Sequence, residues 1–248
     1  MQKNQNYKYN EKYIGIILSA GKSTRLKKNL KITSKNLVKI KKGKDSLEYN
    51  LQKLEKAEIT NIYINTHQYH KKFISRIKNR FSKSNKISLI NEKKILGTAG
   101  GVFNICKKFP NFENVIVLYG DNISNINLKR VIKIYENKNS KFSIVVHKLN
   151  DFKSSGVVKF NKNNEITSFN EKLNIVAKKY NWVNAGIYII NKNIIENFKV
   201  SNCDFAKDII PFLLKKNKNK IYAIKTTMRV FAIDDVDLLN KTKREINF

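Results

Sequence analysis

At residues 16–26 the chain reads Ile16-Ile17-Leu18-Ser19-Ala20-Gly21-Lys22-Ser23-Thr24-Arg25-Leu26, an apolar run followed by small residues and an arginine. The apolar run predicts a buried strand. Small residues after it let backbone N–H groups approach a polyphosphate, and a helix starting there adds partial positive charge. The stretch therefore predicts a phosphate-binding loop with Arg25 as a catalytic cation, although an ordinary strand-to-helix turn has the same pattern.

Short apolar runs and amphipathic segments alternate through the first half of the chain. Such alternation is typical of an α/β fold with a mostly parallel, doubly wound, Rossmann-like sheet, in which ligands bind at the carboxyl ends of the strands. The predicted strands are Ile14–Leu18, Ile62–Asn65, Ile87–Ile90, Val115–Leu118 and Phe142–Val146, and the predicted helices are Ser46–Ala57, Tyr69–Phe81, Thr98–Lys107 and Leu128–Glu136.

The second half has a different pattern, with strand-like pieces before two helices. We expect strands at Val157–Phe160, Ile166–Phe169 and Val183–Ile190, and helices at Asp204–Lys215 and Val236–Glu245. No linker or repeat separates the halves. The sequence predicts one domain over 1–248, with a nucleotide-binding half at about 13–150, a continuous β-rich substrate-binding lobe at about 151–248, and a frayed leader at 1–12.

The formal charge of +31, from 50 Lys and Arg against 19 Asp and Glu, is the most unusual feature of the composition. Such a charge can indicate a nucleic acid or an anionic membrane as partner. Here lysine is spread along the whole chain among Asn and Ile, without a basic patch or arm. We therefore expect no specific nucleic-acid partner, although nonspecific adhesion to polyanions at low salt follows from the charge.

Cysteine content and hydropathy favour the cytoplasm. Cys106 and Cys203 lie far apart, which indicates reduced thiols rather than a disulfide framework. No apolar run reaches the length of a membrane span, and residues 1–12 lack a hydrophobic signal core. We expect a cytoplasmic protein without a membrane partner, and the sequence does not indicate its oligomeric state.

Two further signals follow predicted strands. Asp121 comes after an apolar strand and Gly120, so that a hard oxygen ligand suited to Mg²⁺ lies at the sheet edge, although Gly-Asp-Asn is also a good turn sequence. The run Glu92-Lys93-Lys94-Ile95-Leu96-Gly97-Thr98-Ala99-Gly100-Gly101 is a second glycine-rich entry to a helix. Two such loops at one sheet edge are harder to explain as plain turns.

Taken in order, these motifs resemble the nucleotidyltransferase family that makes nucleoside-diphosphate sugars from sugar 1-phosphates, with its glycosyltransferase-A-like fold. In that family a lysine follows the loop arginine by ten positions, as Lys35 follows Arg25. Further matching segments follow in the family's order: Glu92 with Leu96–Gly100, Gly120-Asp121, Gly156-Val157-Val158, Phe169-Asn170-Glu171-Lys172 and Asn184-Ala185-Gly186-Ile187-Tyr188.

The resemblance implies a role for each matching residue. Arg25, Lys35 and Asp121 would be catalytic: Arg25 stabilises the leaving pyrophosphate, Lys35 bridges the attacking and α-phosphates, and Asp121 holds Mg²⁺. Nucleotide-binding positions would be Leu18, Ser19, Ala20, Gly21, Ser23, Thr24, Glu92, Gly97 and Thr98, with Glu92 and Gly97 facing the base. The sugar and its phosphate would contact Gly156, Glu171, Lys172, Asn184 and Gly186.

A second metal carboxylate is expected near the C-terminus, where the family carries Asp-Ile-Gly-Thr-Pro-Glu-Asp. This chain has Phe231-Ala232-Ile233-Asp234-Asp235-Val236-Asp237. Asp234 directly follows the apolar strand and is the preferred ligand, with Asp235 or Asp237 as an N-cap or first-turn carboxylate.

The chain departs from the family pattern where stiff residues are usual. Ser23 replaces a loop glycine, Ser34 and Asn36 replace the prolines around Lys35, and Leu173 follows Lys172 where proline is common. These changes are expected to reduce loop rigidity by a modest amount.

The resemblance is strongest to the guanylyltransferase branch that acts on mannose 1-phosphate or heptose 1-phosphate. The implied substrates are therefore an NTP, with GTP favoured, and such a sugar 1-phosphate, with Mg²⁺ as cofactor. A uridylyltransferase for an amino-sugar 1-phosphate remains open. Outside this class, a polyanion-binding or nucleic-acid-binding protein with a vestigial nucleotide site also remains open.

Overall fold

The computed structural model describes residues 12–78, 86–149, 156–171, 182–216 and 220–248. The predicted leader, apart from Lys12, the predicted boundary near residue 150, and Lys172 lie outside the described residues. No described helix is both long and apolar enough to cross a membrane.

The described residues form thirteen strands. In chain order they are β1 (Tyr13–Leu18), β2 (Lys39–Lys41), β3 (Lys44–Asp45), β4 (Asn61–Thr66), β5 (Lys86–Asn91), β6 (Asn114–Tyr119), β7 (Asn122–Ser124), β8 (Phe142–Lys148), β9 (Val157–Phe160), β10 (Ile166–Asn170), β11 (Trp182–Asn191), β12 (Ile221–Thr226) and β13 (Val230–Ala232).

Helices lie between the strands. They are α1 (Thr24–Asn29), α2 (Ser46–Lys56), α3 (His70–Lys78), α4 (Gly97–Lys108), α5 (Leu128–Asn137), α6 (Lys192–Ile195), α7 (Ile210–Lys216) and α8 (Val236–Glu245). A π-helical turn, Phe205–Ile209, leads into α7, and a 3₁₀ turn, Lys35–Leu37, precedes β2.

Nine of the strands join into one sheet. Its path is β10-β9-β11-β6-β1-β4-β5, with β8 paired to β11 and β12 paired to β8. Strands β6, β1, β4 and β5 are parallel neighbours, whereas β11 pairs antiparallel with β6, β8 and β9. The α/β class with a Rossmann-like parallel core and a β-rich second half is therefore confirmed.

Alternation along β1 places side chains on both faces of the sheet, and both faces are covered. Ile14 and Ile16 pack against α4 and the C-terminal elements, and Tyr13 and Ile17 pack against α2 and α5. All four side chains are buried. Burial of one isoleucine side chain contributes roughly 1.5–3 kcal/mol, so these two apolar layers stabilise the sheet on both faces.

A third, smaller apolar cluster lies beyond the carboxyl edge of the sheet. Its fully buried members are Leu26 of α1, Ile123 of β7, Leu239 of α8, and Ile233 and Ile246 on either side of α8. The cluster fixes the C-terminal helix against the loop after β1, and it thereby places Asp234 beside that loop.

The predicted elements match the structure within about two residues for the five strands of the first half. The helix predicted to start at Tyr69 begins at His70, and the residues after Lys78 are not described. The short strands β2, β3, β7 and β13 and the longer β12 were not predicted.

Candidate active site

Strands β1 and β6 run side by side and end together. Leu18 is in register with Tyr119, and the N–H of Gly120 donates to the Leu18 carbonyl at 3.0 Å. The chain then turns into buried Ser19, whose N–H donates to Oδ1 of Asn65 at 2.7 Å. The loop after β1 is therefore held by the carboxyl ends of both neighbouring strands.

Beyond this anchor the loop becomes accessible. Ala20 is buried, whereas Gly21 and Thr24 are exposed, and a Cβ atom added to Gly21 would meet nothing within 4 Å. The fold therefore does not require glycine at position 21, and the open space there is available to a ligand.

Ser23, where the family carries glycine, has a left-handed backbone with φ of 56°. A residue with a Cβ atom pays roughly 1–2 kcal/mol for this conformation. Its hydroxyl oxygen accepts a hydrogen bond from the N–H of Lys35 at 3.0 Å. This chain has Ser34 and Asn36 in place of the prolines that the family carries around Lys35. The hydrogen bond from Lys35 to the Ser23 hydroxyl is therefore a tether for this segment, and glycine at position 23 could not supply it.

This tether can be tested by urea unfolding of variants. Ser23→Gly relieves the left-handed strain but loses the bond, worth about 1 kcal/mol, so its free energy of unfolding should stay close to that of the native chain. Ser23→Ala keeps the strain and loses the bond, so it should be about 1 kcal/mol less stable. Equal stability of the alanine variant and the native chain would contradict the tether.

Lys35 lies between two carboxylates. Its Nζ atom donates to Oδ2 of Asp121 and, at 2.7 Å, to Oδ1 of Asp234, and Nη2 of Arg25 lies 3.4 Å from the other oxygen of Asp234. The structure thus brings together the three residues predicted to be catalytic and the preferred second carboxylate. Asp235, by contrast, caps α8 by accepting from the N–H of Leu238, as expected for the alternative role.

Neighbouring charges also set the protonation states of Lys35 and Asp234. Burial alone would lower the pKa of Lys35, but Asp121 and Asp234 outweigh it and raise that pKa. Burial opposes ionisation of Asp234, yet Lys35 and Arg25 hold its pKa below the usual value. Lys35 is therefore a fixed cation.

Glu92 lies under the second glycine-rich loop, and its side chain is only 3% exposed. Its carboxylate accepts from Nδ2 of Asn65 at 2.8 Å and from the N–H of Leu96 at 3.2 Å. Burial raises the pKa of Glu92, and these two hydrogen bonds partly counter that rise. In this geometry Glu92 shapes the loop backbone near the predicted base position.

Gly97 and Thr98 begin α4, and residues from the second half of the chain cover this helix terminus. The carbonyl of Cys203 accepts from the N–H groups of Ala99 and Gly100, and Oδ1 of Asp204 accepts from the N–H and hydroxyl of Thr98. Gly97 has φ of +74°, and an added Cβ would collide with the Cys203 carbonyl. The glycine pattern of this loop is therefore explained in part by chain packing.

A bulge in β11 shapes the opposite wall. The register of β11 on β8 shifts between Asn184 and Tyr188. Gly186, with φ of +68°, donates its N–H to Oδ1 of Asn184, whose Nδ2 donates to the Tyr188 hydroxyl at 2.6 Å. The predicted sugar-binding pair Asn184 and Gly186 is thus held rigidly by its own strand.

Part of the predicted site lines a cleft of about 870 Å³. Its lining includes seven of the predicted residues: Arg25, Asp121, Gly156, Glu171, Asn184, Gly186 and Asp234. Lys35 is not in the lining, and neither is any of the predicted nucleotide-binding residues: Leu18, Ser19, Ala20, Gly21, Ser23, Thr24, Glu92, Gly97 and Thr98. Lys172 is outside the described residues.

Several residues of the site were not predicted. Asn65 joins the first loop to Glu92, and Asn36 donates from Nδ2 to the Ser19 hydroxyl at 2.9 Å. Arg229 and Lys241 add cations to the cleft lining. None of these residues stands out in the sequence, because asparagine and lysine occur along the whole chain.

The chain resembles known proteins over most of its length. A family model described as nucleotidyl transferase matches residues 14–229. A D-glycero-alpha-D-manno-heptose 1-phosphate guanylyltransferase from Campylobacter jejuni is 32% identical over 74% of this chain and 78% of its own. The bifunctional protein GlmU from Buchnera aphidicola is 32% identical over 94% of this chain.

The chain spans 46% of that second relative, and about half the length of several curated relatives it matches. Among solved structures, HddC from Yersinia pseudotuberculosis, complexed with GMP-PN, superposes with a TM-score of 0.80 over 94% of this chain and 99% of its own, at 24% identity. The matched domain, the first relative and the motif order agree. This chain belongs to the nucleotidyl transferase family.

Proposed function

We propose that the chain transfers a nucleoside monophosphate from an NTP, with GTP favoured, to a sugar 1-phosphate of the heptose or mannose type. The products are a nucleoside-diphosphate sugar and pyrophosphate. The observation that carries the proposal is that Arg25, Asp121 and Asp234 line the same cleft as Gly156, Glu171, Asn184 and Gly186. This arrangement supports phosphate chemistry and sugar recognition in adjoining parts of one cleft.

In this reaction a phosphate oxygen of the sugar 1-phosphate attacks the α-phosphorus of the NTP. A new P–O bond forms, the bond from the α-phosphorus to the bridging oxygen of the β-phosphate breaks, and pyrophosphate leaves with that electron pair. Both reactants are anions, so catalysis rests on positioning and charge neutralisation rather than on a protein base.

The fixed cations suit this demand. Asp121 and Asp234 hold Lys35 in its charged form, and we assign to it the bridge between the attacking phosphate and the α-phosphate. Arg25 is more exposed, with 61% of its side chain accessible, and lies at the cleft wall. From there it can reach the β-phosphate and γ-phosphate of the leaving group.

Asp121 and Asp234 form a donor set that fits Mg²⁺. This ion prefers oxygen ligands and is commonly held by one or two carboxylates together with substrate phosphates. Both aspartates contact Nζ of Lys35, so their carboxylates lie close together. When bound, Mg²⁺ supplies charge neutralisation at the phosphate oxygens.

The remaining residues divide between the two substrates. The loop from Leu18 to Thr24 is proposed to hold the triphosphate, and Gly97 with Thr98 lies next to the base. We propose that Glu92 does not contact the base itself. It holds the backbone N–H of Leu96 and so shapes the loop next to the base. Gly156, Glu171, Lys172, Asn184 and Gly186 are assigned to the sugar phosphate.

Support for the base and sugar comes from the guanylyltransferase name of the Campylobacter relative. A uridylyltransferase for an amino-sugar 1-phosphate is the second candidate. We further propose that residues 13–248 act as one domain, in the cytoplasm where NTPs are available.

A substrate screen tests the proposal. Each NTP is combined with heptose, mannose and amino-sugar 1-phosphates and Mg²⁺, and pyrophosphate release is measured. We expect turnover with one pair, first with GTP. No turnover with any pair, together with tight and salt-sensitive binding of nucleic acid, would instead support a polyanion-binding protein.

Two glycine variants separate ligand contact from packing. Gly21→Ala adds a methyl group in open space, so the melting temperature should not change, while KM for the NTP should rise roughly tenfold because the methyl group blocks backbone approach. Gly97→Ala serves as the packing control and should lower stability by roughly 2 kcal/mol through its positive φ and the Cys203 clash. An unchanged KM in the first variant would contradict the phosphate loop.

A further inference from the structure

The turn that carries Asp121 is held from behind by one amide side chain. Nδ2 of Asn50 in α2 donates to the carbonyl of Gly120 at 3.3 Å and to the carbonyl of Asn122 at 3.2 Å. These two carbonyls flank Asp121 directly. Asn50 is 1% exposed, so water cannot replace its amide.

A buried lysine in turn fixes this amide. Nζ of Lys53, one turn further along α2, lies 3.4 Å from Oδ1 of Asn50 and donates to the hydroxyl of Ser124 at 2.8 Å. Rotation of the Asn50 amide by 180° would exchange its oxygen and nitrogen. Because the Lys53 amine donates to Oδ1, it favours the orientation in which the NH₂ group points at the turn.

The lysine is costly for the fold. It is 8% exposed, and no carboxylate in the described part of the chain lies within ion-pair distance of it. Burial lowers the pKa of Lys53 to about 7. Burying an amine without a counter-ion reduces stability whether the group stays charged or gives up its proton, so packing alone does not account for it.

We propose that Asn50 is a positioning residue for Asp121 and that Lys53 sets the orientation of its amide. The clamp rests on the proposed function, because Asp121 must act as a metal ligand for it to matter. Removing outer partners of metal ligands commonly weakens metal binding by about tenfold or more.

Asn50→Asp tests the clamp with an isosteric side chain. The carboxylate can pair with Lys53, which offsets part of the stability lost with the two hydrogen bonds, so the variant is expected to fold with a lower melting temperature. The carboxylate cannot donate to the two carbonyls, and the Asp121 turn loses its support. We therefore expect Mn²⁺ binding to the protein without nucleotide, followed by electron paramagnetic resonance, to weaken about tenfold. The Mg²⁺ concentration for half-maximal turnover should rise by the same factor.

Two companion variants make the result decisive. Lys53→Met removes the buried amine, and we expect unchanged or higher stability with weaker Mn²⁺ binding. Gln52→Glu makes the same amide-to-acid change where the side chain contacts Lys44, away from the turn, and should leave Mn²⁺ binding unchanged. Native Mn²⁺ affinity in both Asn50→Asp and Lys53→Met overturns the clamp. If the native chain shows no turnover but the two variants still bind Mn²⁺ more weakly than it does, only the proposed reaction is overturned.

Discussion

Replacing Asp121 by asparagine is expected to lower kcat by at least about a hundredfold without unfolding the chain. The two side chains have the same shape, but the amide is neutral and is a poor ligand for a divalent cation. Lys35 keeps Asp234 as its partner in the variant, so the ion pair that stabilises this edge is only partly lost. Pyrophosphate release and the melting temperature measure the two effects separately.

Asp235→Asn is the matched control for this substitution. Asp235 is adjacent in sequence to Asp234, but its side chain caps α8, and asparagine is an equally good N-cap. We expect native kcat and native stability for this variant. Loss of activity in Asp235→Asn, or near-native activity in Asp121→Asn, would contradict the assignment of the catalytic carboxylates.

Lys35→Met should have two effects in opposite directions. Turnover should fall by about a hundredfold or more, because no other described cation contacts both carboxylates. Binding of Mn²⁺ should become tighter, because the fixed cation that shares Asp121 and Asp234 has been removed and two facing carboxylates favour a divalent ion. Electron paramagnetic resonance and pyrophosphate release measure the two quantities on the same sample.

The exposed Lys39 provides the control for Lys35, since Lys39→Met removes a surface charge 3.6 Å from a different carboxylate, that of Asp45. Its turnover and its Mn²⁺ affinity should both be native. If Lys35→Met weakens Mn²⁺ binding, then Lys35 serves mainly to hold the carboxylates in place, and its proposed contact with phosphate is wrong.

Most of the long strands and helices could be predicted because each has its own apolar period, although the six-residue β12 was missed. Strand β1 and helix α8 illustrate this, since their boundaries fall within a residue of the expected ones. The short strands β7 and β13 have only three residues each and form because they pair with each other across more than a hundred positions. No local pattern encodes such a pairing.

The family's motif order singled out Arg25, Asp121 and Asp234, and the structure brings all three to the lining of one cleft, while their roles stay predictions. Prediction failed for groups that act through long-range contacts. Asn50 and Asn65 are two of many asparagines, and only the fold shows which carbonyl or N–H each one meets. The positive φ of Ser23 was likewise hidden, because a serine in sequence does not reveal its backbone conformation.

The position of β11 in the sheet has a consequence for synthesis of the chain. Strand β6 has β11 as its neighbour on the side away from β1, and the N-terminal N–H groups of α4 are covered by residues 203 and 204. A nascent chain that has emerged only to β8 therefore presents an unpaired, apolar strand edge and an uncapped helix. Backbone groups in that state pair with whatever strand they meet, so association with other chains competes with folding until β11 emerges from the ribosome.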